Sequence, residues 1–140
     1  MSEKGSITGL YTVLVDGDDL TEPVTDTARG ILDGHIVLSR KLANRNHYPA
    51  IDVLASVSRV MSDIISDEHK AAANEMKKNM AVYADAEDLI NIGAYVKGSS
   101  PEIDLAVEKN PETKGFLSQP IHEKAEFDDT VNRIGQISGK

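Results

Sequence analysis

The stretch from Ser66 to Gly93 constrains this chain more than any other. No Gly or Pro interrupts it before Gly93, and Ala72, Met76, Met80, Tyr83, Ala86 and Ile90 recur at three- or four-residue steps. That spacing lays one apolar stripe along one helix face. Ser66, followed by Asp67 and Glu68, supplies a cap and an acidic first turn, both favourable at the positive end of a helix dipole. The pattern predicts a helix from Ser66 to about Ala94. Lys97-Gly-Ser-Ser-Pro101 is a loop, and Ser100 caps a helix over Pro101–Glu108 with Pro at its first position. Asn110-Pro111 starts another helix that runs through Phe116-Leu117, Pro120 breaks it, and His122 to Ile134 forms the last one. Gln136 to Lys140 is expected to fray. Residues 67–140 therefore read as a small all-helical domain.

Residues 1–66 have a different character. Ser6-Ile-Thr-Gly-Leu-Tyr-Thr-Val-Leu-Val15 is rich in β-branched residues and almost continuously apolar in its second half. It suits a strand buried on both faces of a parallel sheet. A turn-rich acidic loop, Asp16 to Pro23, leads into a helix over Val24–Leu32, with Pro23 as its start signal. Asp33-Gly34 ends that helix, His35–Ser39 reads as a second short buried strand, and Arg40–Asn46 as a helical turn. This alternation points to α/β layering. Two parallel strands alone would leave most sheet edges unpaired. The first part is thus expected to be the tail end of a larger α/β domain. Met1-Ser-Glu-Lys-Gly, leading straight into a strand-like run, fits a start placed within a longer chain and carries no targeting segment.

Composition narrows the function classes. A net charge of −8 over 140 residues argues against a nucleic-acid footprint, which is normally basic. The absence of Cys removes disulfides and thiolate zinc sites and fits a cytoplasmic setting, and no apolar run approaches the length of a membrane span. There is no Gly-x-x-x-x-Gly-Lys-Ser/Thr phosphate loop, no Gly-x-Ser-x-Gly elbow and no His-Glu-x-x-His. His35, His47, His69 and His122 are scattered without partners at ligand spacing. As a self-contained enzyme the chain lacks parts.

One segment carries chemistry worth weighing: Tyr48-Pro-Ala-Ile-Asp-Val-Leu-Ala-Ser-Val-Ser-Arg-Val-Met61. On one reading Tyr48 is a core aromatic and Arg59 a helix-end cation. On the other, Tyr48 is a flat surface for a base and Arg59 a planar fork for a phosphate. Composition does not separate the two.

Longer stretches do resemble a family. Lys4 to Asp19, Ile31-Leu-Asp-Gly-His-Ile-Val-Leu-Ser-Arg40, His47 to Met61, Ile92-Gly-Ala-Tyr-Val-Lys-Gly98 and Phe116-Leu-Ser-Gln-Pro120 are similar to the rotary ATPases, and within them to the flagellum-specific ATPase of the type III protein-export apparatus. The resemblance implies the last strands of a RecA-like nucleotide-binding domain over residues 1–66 and a C-terminal helical domain over 67–140. It implies that Tyr48 packs on adenine and that Arg59 is an arginine finger reaching a neighbouring subunit's γ-phosphate. Phe127 and Ile121 would line the adenine pocket, Ile121 standing where some relatives carry an aromatic. The acidic turn containing Asp18, Asp19 and Glu22 resembles the loop facing the central stalk. ATP with Mg²⁺ is implied, with the phosphate loop, the Mg²⁺-binding Asp and the catalytic Glu lying N-terminal to the residues present.

The implied partners are copies of the protein in a homohexamer, a coiled-coil central stalk protein, a stator-like regulator, export chaperone–cargo complexes and the export gate. The implied setting is cytoplasmic, at the base of the flagellar export apparatus and at most peripheral to the membrane. Two alternatives stay open at this point: a helical partner-binding module with no nucleotide chemistry of its own, and the equivalent part of a virulence type III secretion ATPase.

Overall fold

The computed structural model describes residues 4–15, 17, 19 and 21–139. The chain divides into two compact units, Met1–Asp33 and Gly34–Lys140. The first unit contains helix α1 (Pro23–Ile31), opened by Pro23 as the sequence predicts. Thr25 on its first turn is buried and donates its hydroxyl to Glu22 Oε1 at 2.8 Å.

The strand expected over residues 6–15 does not form. Ile7, Leu10, Tyr11 and Leu14 are exposed along this segment. A strand exists by pairing, and the only sheet among the described residues is the two-stranded one of the second unit. β propensity without a neighbouring strand leaves the segment irregular.

That sheet pairs β1 (Gly34–Leu38) with β2 (Ile51–Ser58). The pairing is antiparallel, where the sequence suggested a parallel arrangement, and β2 was not anticipated. The physical reason lies in the connection. Helix α2 (Arg40–Asn44) is only one short turn, capped by Ser39, and Ser39 N donates to Ala50 O at 2.8 Å. The chain re-enters the sheet beside the point where it left, so β2 must run back along β1. Nor is β1 buried as expected, since Ile36 and Leu38 face outward and are exposed.

The register slips within the ladder: Val37 pairs with Asp52 but His35 with Val57, which leaves extra residues bulged out of β2. Side chains satisfy the bulge. Asp52 Oδ1 accepts from Ala55 N at 3.0 Å, and Ser56 Oγ accepts from Val37 N at 3.0 Å.

After the short helix α3 (Met61–Ile64) come α4 (Asp67–Asn91), α5 (Pro101–Leu117) and α6 (Phe127–Ser138). Ser66 caps α4, its Oγ accepting from His69 N at 3.2 Å. Ala72, Met76 and Ala86 of the predicted stripe are buried, with Ala73 beside them. Small residues there and at Ala106 let α4 and α5 approach closely, and Ile134 and Ile137 of α6 complete the core. Between α4 and α5, Tyr95 Oη donates to Asp104 Oδ1 at 2.8 Å and Gly98 N donates to Asp104 Oδ2 at 2.9 Å, closing the loop onto its own helix start.

Two helix boundaries depart from expectation. Pro111 lies inside α5 and does not start a new helix. A mid-helix Pro removes one hydrogen bond and costs about 3 kcal/mol. Here its ring is exposed while Ala106 and Thr113 on either side are buried against the bundle, so packing carries the helix through. The last helix begins at Phe127, five residues later than predicted, because a turn closed by Glu123 N on Pro120 O and irregular backbone up to Glu126 take up the residues before it. It stays helical to Ser138, beyond the fraying expected from Gln136. Buried Ile137 and the bond from Ser138 Oγ to Ala72 O, 2.7 Å, hold its end, and Gly139 caps it with φ 73°.

Candidate functional site

The Tyr48 turn is built by its neighbours. Asn46 adopts φ 58°, a left-handed conformation that Asn tolerates better than most residues, and this reverses the chain after α2. His47 N then donates to Leu42 O at 3.0 Å, and Ile51 N to Pro49 O at 2.8 Å. The Tyr48–Pro49 peptide is cis. The turn displays the ring of Tyr48, which is 52% exposed, and holds its backbone.

Two further bonds reach the turn from the linker between α5 and α6. Gln119 N donates to Tyr48 O at 2.8 Å, and Ser118 Oγ lies 3.2 Å from His47 Nδ1. Gln119 Nε2 donates to Glu123 O at 2.9 Å, and Glu123 N to Pro120 O at 3.0 Å, which closes a turn carrying Ile121 outward at 95% exposure. The structure thus ties the segment bearing Tyr48 to the segment bearing Ile121. Phe127 stands apart in its contacts: its ring meets His69 edge-on at 6.1 Å between centroids, and it is 68% exposed.

Arg59 sits on the turn directly after β2, exposed, where Ser58 Oγ accepts from Met61 N at 3.2 Å and redirects the chain into α3. Tyr48 and Arg59 therefore flank opposite ends of β2. At about 3.3 Å per residue such a strand spans up to about 25 Å, less the bulge. One chain does not bring the two side chains to one point.

An open groove of about 820 Å³ runs beside the linker, walled by Pro49, Ile51 and Val53 on one side and Phe116, Gln119 and Arg133 on the other. The Arg133 guanidinium lies over the Phe116 ring at 5.2 Å. None of Tyr48, Arg59, Ile121 or Phe127 lines it.

In the acidic turn, Asp18 lies outside the described residues. Asp19 Oδ1 accepts from the Thr21 hydroxyl at 2.6 Å and from Thr21 N at 2.9 Å, and these two bonds hold its carboxyl below the ordinary aspartate range. Glu22 takes the Thr25 hydroxyl and, through its carbonyl, Asp26 N at 2.9 Å. Both acids shape the entry to α1. Among the described residues no group of three or more His, Asp or Glu is placed to hold a metal ion.

His47, Ser118 and Gln119 join the Tyr48 turn to the linker, a junction that sequence reasoning missed. Their motifs, His47-Tyr-Pro and Leu117-Ser-Gln-Pro120, are visible in the sequence, but a contact across 71 positions carries no local signal.

Comparisons with known proteins place the chain. Residues 65–136 match the model of the T3SS EscN ATPase C-terminal domain, and residues 1–58 match that of the ATP synthase alpha/beta family, nucleotide-binding domain. The flagellum-specific ATP synthase of Treponema pallidum is 52% identical over 135 residues, covering 96% of this chain and 30% of that protein. The Bacillus subtilis protein of the same name is 51% identical over 99% of this chain and 32% of its own length. A type 3 secretion system ATPase of Pseudomonas syringae pv. syringae is 46% identical over 100% of this chain and 31% of its own length. The chain thus spans about a third of the length of the curated relatives it matches. Among solved structures, the assembled ATPase EscN of the enteropathogenic E. coli type III secretion system superposes with a TM-score of 0.92 at 42% identity, over 96% of this chain and 32% of that one. EscN in complex with its central stalk EscO gives 0.87 at 41%, over 99% and 32%. The match over residues 65–136 takes in just over half of the chain, and this chain belongs to the family of flagellar and type III secretion ATPases which that C-terminal domain defines.

Proposed function

We propose that the protein to which this chain contributes hydrolyses ATP, with Mg²⁺, at the subunit boundaries of a homohexameric ring and uses that energy to drive flagellar type III protein export. Residues 1–66 end its RecA-like nucleotide-binding domain, and 67–140 form its C-terminal helical domain. Tyr48 supplies the adenine platform, with Ile121 and Phe127 closing the base pocket. Arg59 is the arginine finger. Phosphoryl transfer is catalysed mainly by positioning and charge stabilisation, and a guanidinium fork can hold two phosphate oxygens at once. Asp18, Asp19 and Glu22 face a central stalk. A stator-like regulator, chaperone–cargo complexes and the export gate are its other partners, in the cytoplasm at the export apparatus.

The observation that carries this reading is the display of Tyr48 and Arg59 at opposite ends of β2. Held apart in one chain, they suit a base pocket in one subunit and a finger offered to the next. The sequence holds no phosphate loop, so this chain by itself is not the catalyst. Among the described residues no helix is long and apolar enough to cross a membrane.

The test is Arg59→Ala in the full-length protein. We expect kcat to fall at least a hundredfold, on the scale of about 10³ to 10⁵ for arginine fingers, with nucleotide affinity and ring assembly kept. An unchanged kcat would reduce Arg59 to a structural cation. The equivalent virulence-secretion role is the second reading, favoured by the 46% identity to the Pseudomonas secretion ATPase. Restored swimming in a bacterium stripped of its flagellar ATPase decides for the first, and restored effector secretion without swimming for the second.

A further inference from the structure

The ring of Tyr48 is half exposed, so burial alone does not fix it. Its backbone is fixed instead, from two sides. The Asn46 reversal ties the turn to α2 within its own segment. From the linker, two adjacent residues grip two adjacent residues: Ser118 Oγ at 3.2 Å from His47 Nδ1, and Gln119 N on Tyr48 O at 2.8 Å. One hydrogen bond leaves a turn free to pivot about it. Two side by side also fix its orientation. Gln119 does a second job, since its side chain closes the turn that carries Ile121.

We propose that this two-bond clasp sets the geometry of the nucleotide-base subsite, with His47 and Ser118 as positioning residues for Tyr48. The proposal rests on the reading of Tyr48 as the adenine platform. Neither residue needs to touch the nucleotide. Ser118 is exposed and brings its hydroxyl, which can donate or accept, within hydrogen-bond distance of His47 Nδ1. The clasp fixes the Tyr48 carbonyl relative to the Ile121 turn, and so sets where a flat purine fits between a ring from one segment and an aliphatic side chain from the other. A base held in this way is discriminated by ring area, so loosening the clasp should cost a purine nucleotide more than a pyrimidine one.

The experiment compares kcat and KM for ATP and for CTP in the full-length protein, carrying Ser118→Ala, His47→Ala, Ser118→Thr or Tyr48→Ala. Losing one net hydrogen bond corresponds to about 2- to 10-fold in affinity. Ser118→Ala and His47→Ala are expected to raise KM for ATP by that factor, leave kcat in place and narrow the ATP-to-CTP ratio of kcat/KM. Ser118→Thr, which keeps the hydroxyl, restores the ratio. Tyr48→Ala moves it further in the same direction. If Tyr48→Ala narrows the ratio while the Ser118 and His47 variants leave it unchanged, the clasp is overturned and the adenine platform stands. A ratio indifferent to Tyr48→Ala overturns both. A Ser118→Ala variant that lowers kcat equally for both nucleotides marks a general structural role and overturns the proposal.

Discussion

Gly34 lies where β1 and β2 come closest. A Cβ there would meet Val57 O at 2.6 Å and Ser58 Cα at 3.2 Å, both backbone atoms that cannot rotate away. The sequence read Asp33-Gly34 as a helix end, whereas its sharper constraint is this contact across the ladder. Gly34→Ala is therefore expected to destabilise the second unit by about 1–3 kcal/mol, the usual cost of overpacking, seen as a lower urea midpoint. An unchanged midpoint would mean that the strands part at this end without loss. Asn46 makes a related point. Its positive φ turns Tyr48 outward, a role no composition rule assigns to an Asn after a short helix.

At the scale of elements, the helices and the position of β1 were largely legible, and β2 and the 6–15 segment were not. Helix α4 showed in the sequence because its cap, its spacing and its freedom from Gly and Pro all agree. Pro111 misled because local chemistry favours a break there, while the packing of Ala106 and Thr113 decides otherwise. The 6–15 segment and β2 misled for a single reason: strand formation depends on a partner that lies far away in sequence. The tie between α2 and α4 is equally long-range. Arg45 Nη1 donates to Glu87 Oε1 at 2.7 Å, with Lys41 Nζ 3.9 Å from the other carboxylate oxygen. The Arg45 hydrogen bond, aided by the charges of Arg45, Lys41 and Lys114, holds Glu87 below the ordinary glutamate range despite some desolvation. A carboxylate depressed by folding stabilises the fold above its unfolded pKa and loses that contribution as pH falls through its folded value. Glu87→Gln is thus expected to cost on the order of 1 kcal/mol near neutral pH, and the two proteins' stabilities should converge well below the carboxylate range. A gap that persists in acid would assign the loss to packing instead of charge.

For the molecule as a whole, the exposed run of Ile7, Leu10, Tyr11 and Leu14 is an unpaired apolar surface of the kind that seeks a partner. The purified 140-residue chain is expected to self-associate with rising concentration, and Leu10→Glu combined with Leu14→Glu to reduce its sedimenting mass. A monomer at every concentration without those changes would contradict this. Tyr48 and Arg59 sit in one continuous motif, and β2 holds them apart at its two ends, a separation that residue types alone do not convey. On the proposed function that separation has a genetic consequence. A copy defective only at Tyr48 and a copy defective only at Arg59 spoil different faces of a ring. Wherever the intact pocket of one meets the intact finger of the other, a wild-type junction reappears, so two defective alleles expressed together should complement.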